Sequence, residues 1–189
     1  MDKVWLEQYQ TGVPYEIDSS EYSSLVALFE DSCRQYSKQI AYVNLDCELS
    51  YRELEIKSRQ FAIYLQQLGL KKGTRIALMM PNLLQYPIAL FATLRAGYVI
   101  VNTNPLYTLD EVVHQMNDSG AEVIVVLANF AKTVEKALEH MPTIKHVIIT
   151  QIGDIFPPVK RVIVNAVVKY IKKWFPSTAF LMQFALMTH

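Results

Sequence analysis

Residues 75–102, RIALMMPNLLQYPIALFATLRAGYVIVN, decide the fold. Arg75 to Met80 is an apolar run too short for a helix, and Pro81 and Asn82 behind it are turn residues. Asn82 to Ala96 then carries an apolar helix in which Pro87 either kinks the axis or marks its first turn. Gly97 permits a sharp reversal into a second apolar run, Tyr98 to Asn102. Strand, helix and strand within so few residues make a βαβ unit, which places the two strands parallel. The uncharged run Ile76 to Leu94 has the length of a membrane span, but Pro81, Asn82, Gln85 and Pro87 near its middle suit a turn and a buried helix better.

The same pattern continues downstream. Glu122 to Leu127 and Lys145 to Thr150 read as two more short strands. Thr108 and Glu111 form a capping box for a helix ending near Asp118, Ser119 and Gly120, and another helix occupies Asn129 to His140 before Pro142. The expectation is an α/β fold: a doubly wound, mostly parallel sheet of four strands over residues 74–150, with flanking helices placed by right-handed crossovers.

Upstream, Ser23 to Tyr36 has helical spacing and Ile40 to Leu45 reads as a strand entering a hairpin through Asp46 and Cys47. Ser50 and Glu53 form a second capping box. The helix they open buries Leu54, Phe61, Ala62, Leu65 and Leu68, stops at Gly69 and carries Arg52, Glu55 and Arg59 on its outer face. Residues 1–22 show no period and read as an arm over the domain; residues 23–150 form the α/β subdomain and 151–158 a linker. Residues 159–189 hold a basic amphipathic helix, running from Pro158 to Pro176, and an apolar tail. In that helix Val159, Val162, Ile163, Ala166, Val167, Tyr170, Ile171 and Trp174 make one stripe. Lys160, Arg161, Lys169, Lys172 and Lys173 lie opposite or on its flanks. With Tyr170 and Trp174 at headgroup level, these residues are candidates for contact with an anionic membrane surface. A core-packed helix with solvated lysines has the same pattern.

Lysine and arginine number 18 against 18 aspartates and glutamates, so no overall field draws in nucleic acid, and no nucleic-acid partner is expected. Cys33 and Cys47 fit structural thiols in a reducing cytoplasm, and the first ten residues show no secretory signal. His114, His140, His146 and His189 are too far apart for a local metal motif. Neither GxGxxG nor GxxxxGK[ST] occurs, and Ser119 before Gly120 is explained by a helix end, so no catalytic, cofactor-binding or metal-binding residue is assigned.

Two ordered stretches carry a resemblance. Leu49-Ser50-Tyr51-Arg52-Glu53-Leu54 resembles the first core motif of the adenylate-forming superfamily, and Leu94-Arg95-Ala96-Gly97-Tyr98-Val99 through Asn102 and Pro105 resembles the second. Met79 to Pro87 and Asn102 to Thr108 are similar to the bacterial AMP-forming long-chain fatty acyl-CoA synthetases, with the likeness running from Val4 to about Trp174. The resemblance implies the incomplete N-terminal part of such an enzyme. The full-length family joins a long-chain fatty acid to ATP as an acyl-adenylate, using magnesium, and passes the acyl group to coenzyme A. Its phosphate loop and catalytic lysine have no counterpart here, so no cofactor and no catalysis are expected of this chain alone. Rival readings are a non-catalytic membrane-docking or interaction module, and an adenylate-forming relative with another acyl substrate. Further expectations are a cytoplasmic location, peripheral on the inner face of the membrane, and a homodimer as one more partner. Apolar patches should lie open around residues 23–68 or on the tail, where the remainder of such an enzyme would pack.

Overall fold

The computed structural model describes residues 3–18 and 20–167. Its center is a four-stranded parallel sheet of β3 (Arg75–Met79), β4 (Val99–Asn102), β5 (Val123–Leu127) and β6 (His146–Thr150), in the order β4-β3-β5-β6. Ile76 lies opposite both Ile100 and Val123, and Ile124 opposite Val147. Alternation along the strands divides the core in two. Ile76, Leu78, Val123, Val125 and Ile148 join one apolar cluster, while Ala77, Met79, Ile124, Val126 and Ile149 join the other. All five residues of β5 are buried, as befits a central strand covered on both faces.

The first face is covered by α1 (Leu25–Gln35), α2 (Tyr51–Gln67) and α3 (Gln85–Arg95); the second by α4 (Leu109–Ser119) and α5 (Ala131–Ala137). Both capping boxes form: the Ser50 and Thr108 side chains accept from the Glu53 and Glu111 backbone N–H, and each glutamate accepts in return from the cap residue. These hydrogen bonds hold both carboxyls below the usual range. The helix expected from Asn82 begins at Gln85 instead, because residues 82–84 turn first, and Pro87 lies in its opening turn, where its missing N–H costs nothing. Gly97 has φ +81° at the exit of α3. The helix expected over Asn129 to His140 is tightened at both ends into 3-10 turns, leaving α5 as a short middle piece.

Strands β1 (Ile40–Asn44) and β2 (Cys47–Ser50) make a separate antiparallel hairpin. Its two turn residues, Leu45 and Asp46, both have positive φ, 50° and 54°, the conformation that lets a two-residue turn follow strand twist. In the leading segment Val4–Gln8 is a 3-10 turn with no buried residue.

Residues 151–157 lie against the first core face, where Phe156 is buried. Helix α6 (Pro158–Ala166) follows. Its inward side packs Val164 against the first core cluster and makes hydrogen bonds: Asn165 accepts from the Gly153 N–H at 2.9 Å and donates to Asp154 at 3.2 Å, and Lys160 donates to the Leu45 carbonyl. Val159, Val162, Ile163 and Val167 are left 41% to 75% exposed.

Candidate functional site

In a sheet of this order the chain leaves β3 first to one side and then to the other, so the crevice outside the carboxyl ends of β3 and β5 is the place where such folds take ligands. Amides line this end. Gln85, 1% exposed, donates to the carbonyls of Gln151 at 2.7 Å and Ile152 at 3.1 Å, while its own oxygen has no hydrogen-bond partner. Asn44 donates to the Asn82 carbonyl at 3.4 Å, and the Tyr86 hydroxyl donates to Asn102 at 2.8 Å. Gln115 donates to the Asn102 carbonyl at 2.9 Å. The oxygens of Asn44, Gln115 and Asn129 are buried without partners. These groups can orient a neighbor by hydrogen bonding. The amide side chains neither ionise nor attack as nucleophiles.

Two adjoining hollows lie between the hairpin, α1 and α3. One, of about 350 Å³, reaches from Val43 and Asn44 to Leu83 and Pro87. The other, of about 470 Å³, runs from Leu25 and Leu28 to Leu94. They share Tyr42, Leu90 and Phe91, and neither lining contains a charged residue. Together they make an apolar trough along α3, flanked by the exposed side chains of Leu25 and Val43. Open apolar surface is thus found where it was expected, around residues 23–68.

Beside the trough, Arg95 sits at the end of α3 with a side chain only 8% exposed. Its guanidinium donates to Glu30 at 2.8 Å and Glu55 at 3.0 Å, to the Glu55 carbonyl at 3.0 Å and to the Ser58 hydroxyl at 3.2 Å. It also lies 5.5 Å from the Phe29 ring center. Burial of Glu55 opposes its ionisation, but hydrogen bonds from Arg95 and Arg59 outweigh this and hold the carboxyl below its usual range. Helical spacing puts Glu55 on the outer face of α2; the structure turns it toward α3, because an arginine entering the helix junction needs a compensating charge. Helical spacing alone did not single out Arg95, although a lone cation closing an uncharged helix was the signal available. The Cys33 thiol is pushed up to about 11, chiefly by burial and next by the nearby Glu55 carboxylate, which marks it as inert. Cys47 is buried and free.

Of the candidate membrane-contacting residues, Lys160 and Arg161 lie on α6 and are partly buried against the body. Lys160 also stands 5.4 Å from the Phe156 ring center. Lys169, Tyr170, Lys172, Lys173 and Trp174 lie outside the described residues, as does the apolar tail. Among the described residues no cluster of His, Cys, Asp and Glu could hold a metal ion, and no helix is long and apolar enough to cross a membrane.

The family model described as AMP-binding enzyme matches residues 29–179. The chain belongs to this AMP-binding enzyme family. It is 55% identical over 177 residues to a long-chain-fatty-acid–CoA ligase of Salmonella typhimurium, covering 93% of this chain and 31% of the relative. The ligase of the same name from Haemophilus influenzae is 49% identical over the same shares. Among solved structures, a benzoate CoA ligase from Burkholderia xenovorans is similar at 28% identity and a TM-score of 0.62, over 67% of this chain and 25% of that one. The chain therefore spans about a third of the curated ligases it matches. The parallel sheet and its flanking helices are the part of the AMP-binding enzyme fold that it contributes.

Proposed function

We propose that this chain is the N-terminal portion of a long-chain fatty acid–CoA ligase and supplies scaffold rather than chemistry. The carrying observation is the 55% identity over 93% of the chain to a ligase three times its length. The whole enzyme would form an acyl-adenylate from a fatty acid and ATP and then an acyl-CoA. The residues present here do not fit ATP or magnesium. The strand ends offer uncharged amides, and the described residues contain neither a phosphate-cradling glycine loop nor a cluster of carboxylates. On this reading those groups lie in the two thirds of a ligase that the chain does not cover. The test is pyrophosphate exchange into ATP with palmitate. The chain alone should match a protein-free blank, whereas the chain continued into the remaining part of the Salmonella ligase should exchange in a palmitate-dependent way. Exchange by the chain alone, or none by the hybrid, would refute the assignment.

A second property is favoured by α6. A surface helix that turns Lys160, Val164 and Asn165 inward and leaves Val159, Val162, Ile163 and Val167 open is suited to lie in an interface, with Arg161 at its flank. The proposal is peripheral docking on an anionic leaflet at the cytoplasmic face. Each nearby cation adds about 1 kcal/mol at most. Co-sedimentation with phosphatidylglycerol vesicles should exceed that with phosphatidylcholine vesicles, and changing Lys169, Lys172 and Lys173 to Glu should abolish the difference. Equal sedimentation by both proteins would remove the membrane role.

A further inference from the structure

We infer that the hollow at the junction of α1, α2 and α3 is a binding site for a small soluble phosphate compound of diphosphate size, held by Arg34, Arg52 and Arg59. The site is independent of the ligase assignment. It also stands apart from the crevice at the strand ends, because Arg95 closes α3 at the end opposite Gln85, about 15 Å along the axis.

The hollow, of about 550 Å³, is lined by four arginines, two glutamates, Cys33 and Ser37. Small-molecule sites span roughly 300–1,000 Å³, so the size fits a ligand, and the polar lining asks for a polar one. Arg95 is already committed to the protein. Its five N–H groups go to Glu30, Glu55, the Glu55 carbonyl and the Ser58 hydroxyl, and none remains for a ligand. The same bonds answer the charge of both glutamates.

The other three arginines differ. The Arg52 side chain has no partner among the described residues, while Arg34 gives one N–H group to Asp31 and Arg59 one to Glu55. Most of their donors are left over, on the wall of a hollow that holds more guanidinium than carboxylate charge. Counting Asp31, which lies outside the lining, still leaves a positive excess. Cys33 adds no negative charge, since its thiol is pushed up to about 11, chiefly by burial.

Helix geometry sets the size and chemistry of the ligand. Arg52 and Arg59 are seven residues apart on α2, hence on one face and about 10.5 Å from each other along the axis. Arg34 comes in from the last turn of α1. A carboxylate has two oxygens in one plane and matches a single arginine fork. A phosphoryl group offers three acceptor oxygens and up to two negative charges, and two linked phosphoryl groups reach arginines on both helices. The Ser37 hydroxyl, which has no partner among the described residues, is one more donor at the wall. A recess floored by Arg95, with a side chain 8% exposed, suits a soluble ligand rather than a flat leaflet.

The experiment titrates sodium pyrophosphate into the 189-residue chain by isothermal calorimetry, with sodium chloride holding the ionic strength constant. One saturable site of micromolar affinity is expected, with orthophosphate and succinate binding at least tenfold more weakly. Arg52→Ala and Arg59→Ala should each weaken pyrophosphate binding about tenfold, and Lys132→Ala, on the opposite face, should leave it unchanged. Arginine modification by phenylglyoxal, read by mass spectrometry, locates the ligand without any variant. Pyrophosphate should slow the labelling of Arg52 and Arg59 and leave that of Arg75, outside the hollow, as it was. The absence of a saturable heat, or succinate binding as tight as that of pyrophosphate, overturns the inference. Equal losses in Arg52→Ala and Lys132→Ala, or equal protection of Arg75, reveal a diffuse field instead of a site and overturn it as well.

Discussion

Replacing Arg95 with alanine should cost far more than the loss of one surface charge. The guanidinium ties α1 to α2 and α3 through Glu30 and Glu55, and it fills the space over Phe29. Breaking a fully buried pair costs about 3–5 kcal/mol, because the partner charge stays behind without compensation. Here the carboxylates are not fully buried: the Glu30 side chain is 49% exposed and that of Glu55 22%. Solvent screening on the Glu30 side lowers the expectation to roughly 2–4 kcal/mol. For a chain of this size that is a fall in Tm of about 4–16 °C, at roughly 2–4 °C for each kcal/mol. Urea unfolding followed by circular dichroism gives the difference directly. Adding Glu55→Gln to Arg95→Ala should recover part of the loss, since it removes the stranded charge. The pH dependence has a definite sign. The Glu55 carboxyl is held below its unfolded value, so its contribution is complete above the ordinary carboxylate range, about pH 4.3, and fades as pH falls through the lower folded value. The gap between the parent chain and Arg95→Ala should therefore narrow in acid. A difference under about 0.5 kcal/mol at pH 7 would show that the cluster is an ordinary surface network and refute the reasoning.

Three other outcomes are expected. Leu45→Asn should stabilise the chain by about 0.5–1 kcal/mol in urea, because a leucine at φ 50° is strained where asparagine is tolerated. Gly153→Ala should weaken the attachment of α6. Its new methyl would stand 2.6 Å from the Asn165 amide oxygen and 3.0 Å from the Arg161 carbonyl, and protease cleavage near residues 157–167 should accelerate several-fold. Cys33, whose thiol is pushed up to about 11, should react with a disulfide reagent at pH 8 at least tenfold more slowly in the native chain than in urea.

Much of the fold was legible because its determinants are local. The run Ile76 to Met79, the turn at Pro81 and Asn82, and the reversal at Gly97 fix strand, helix and strand within one stretch of chain. Ser50 with Glu53 and Thr108 with Glu111 announce two helix starts through bonds that span three residues. The sheet order β4-β3-β5-β6 has no such local signature, since parallel partners are chosen by contacts between distant segments. Glu55 looked like a surface residue because helical spacing records which side of α2 is polar. It does not record that α3 brings a cation to that side. The same limit governs α6, whose apolar stripe was plain in the sequence while its orientation was not. Asn165, Asp154, Gly153 and the Leu45 carbonyl supply hydrogen bonds that hold Lys160 and Asn165 inward, and their meeting is decided only when β6, the hairpin and α6 come together in three dimensions.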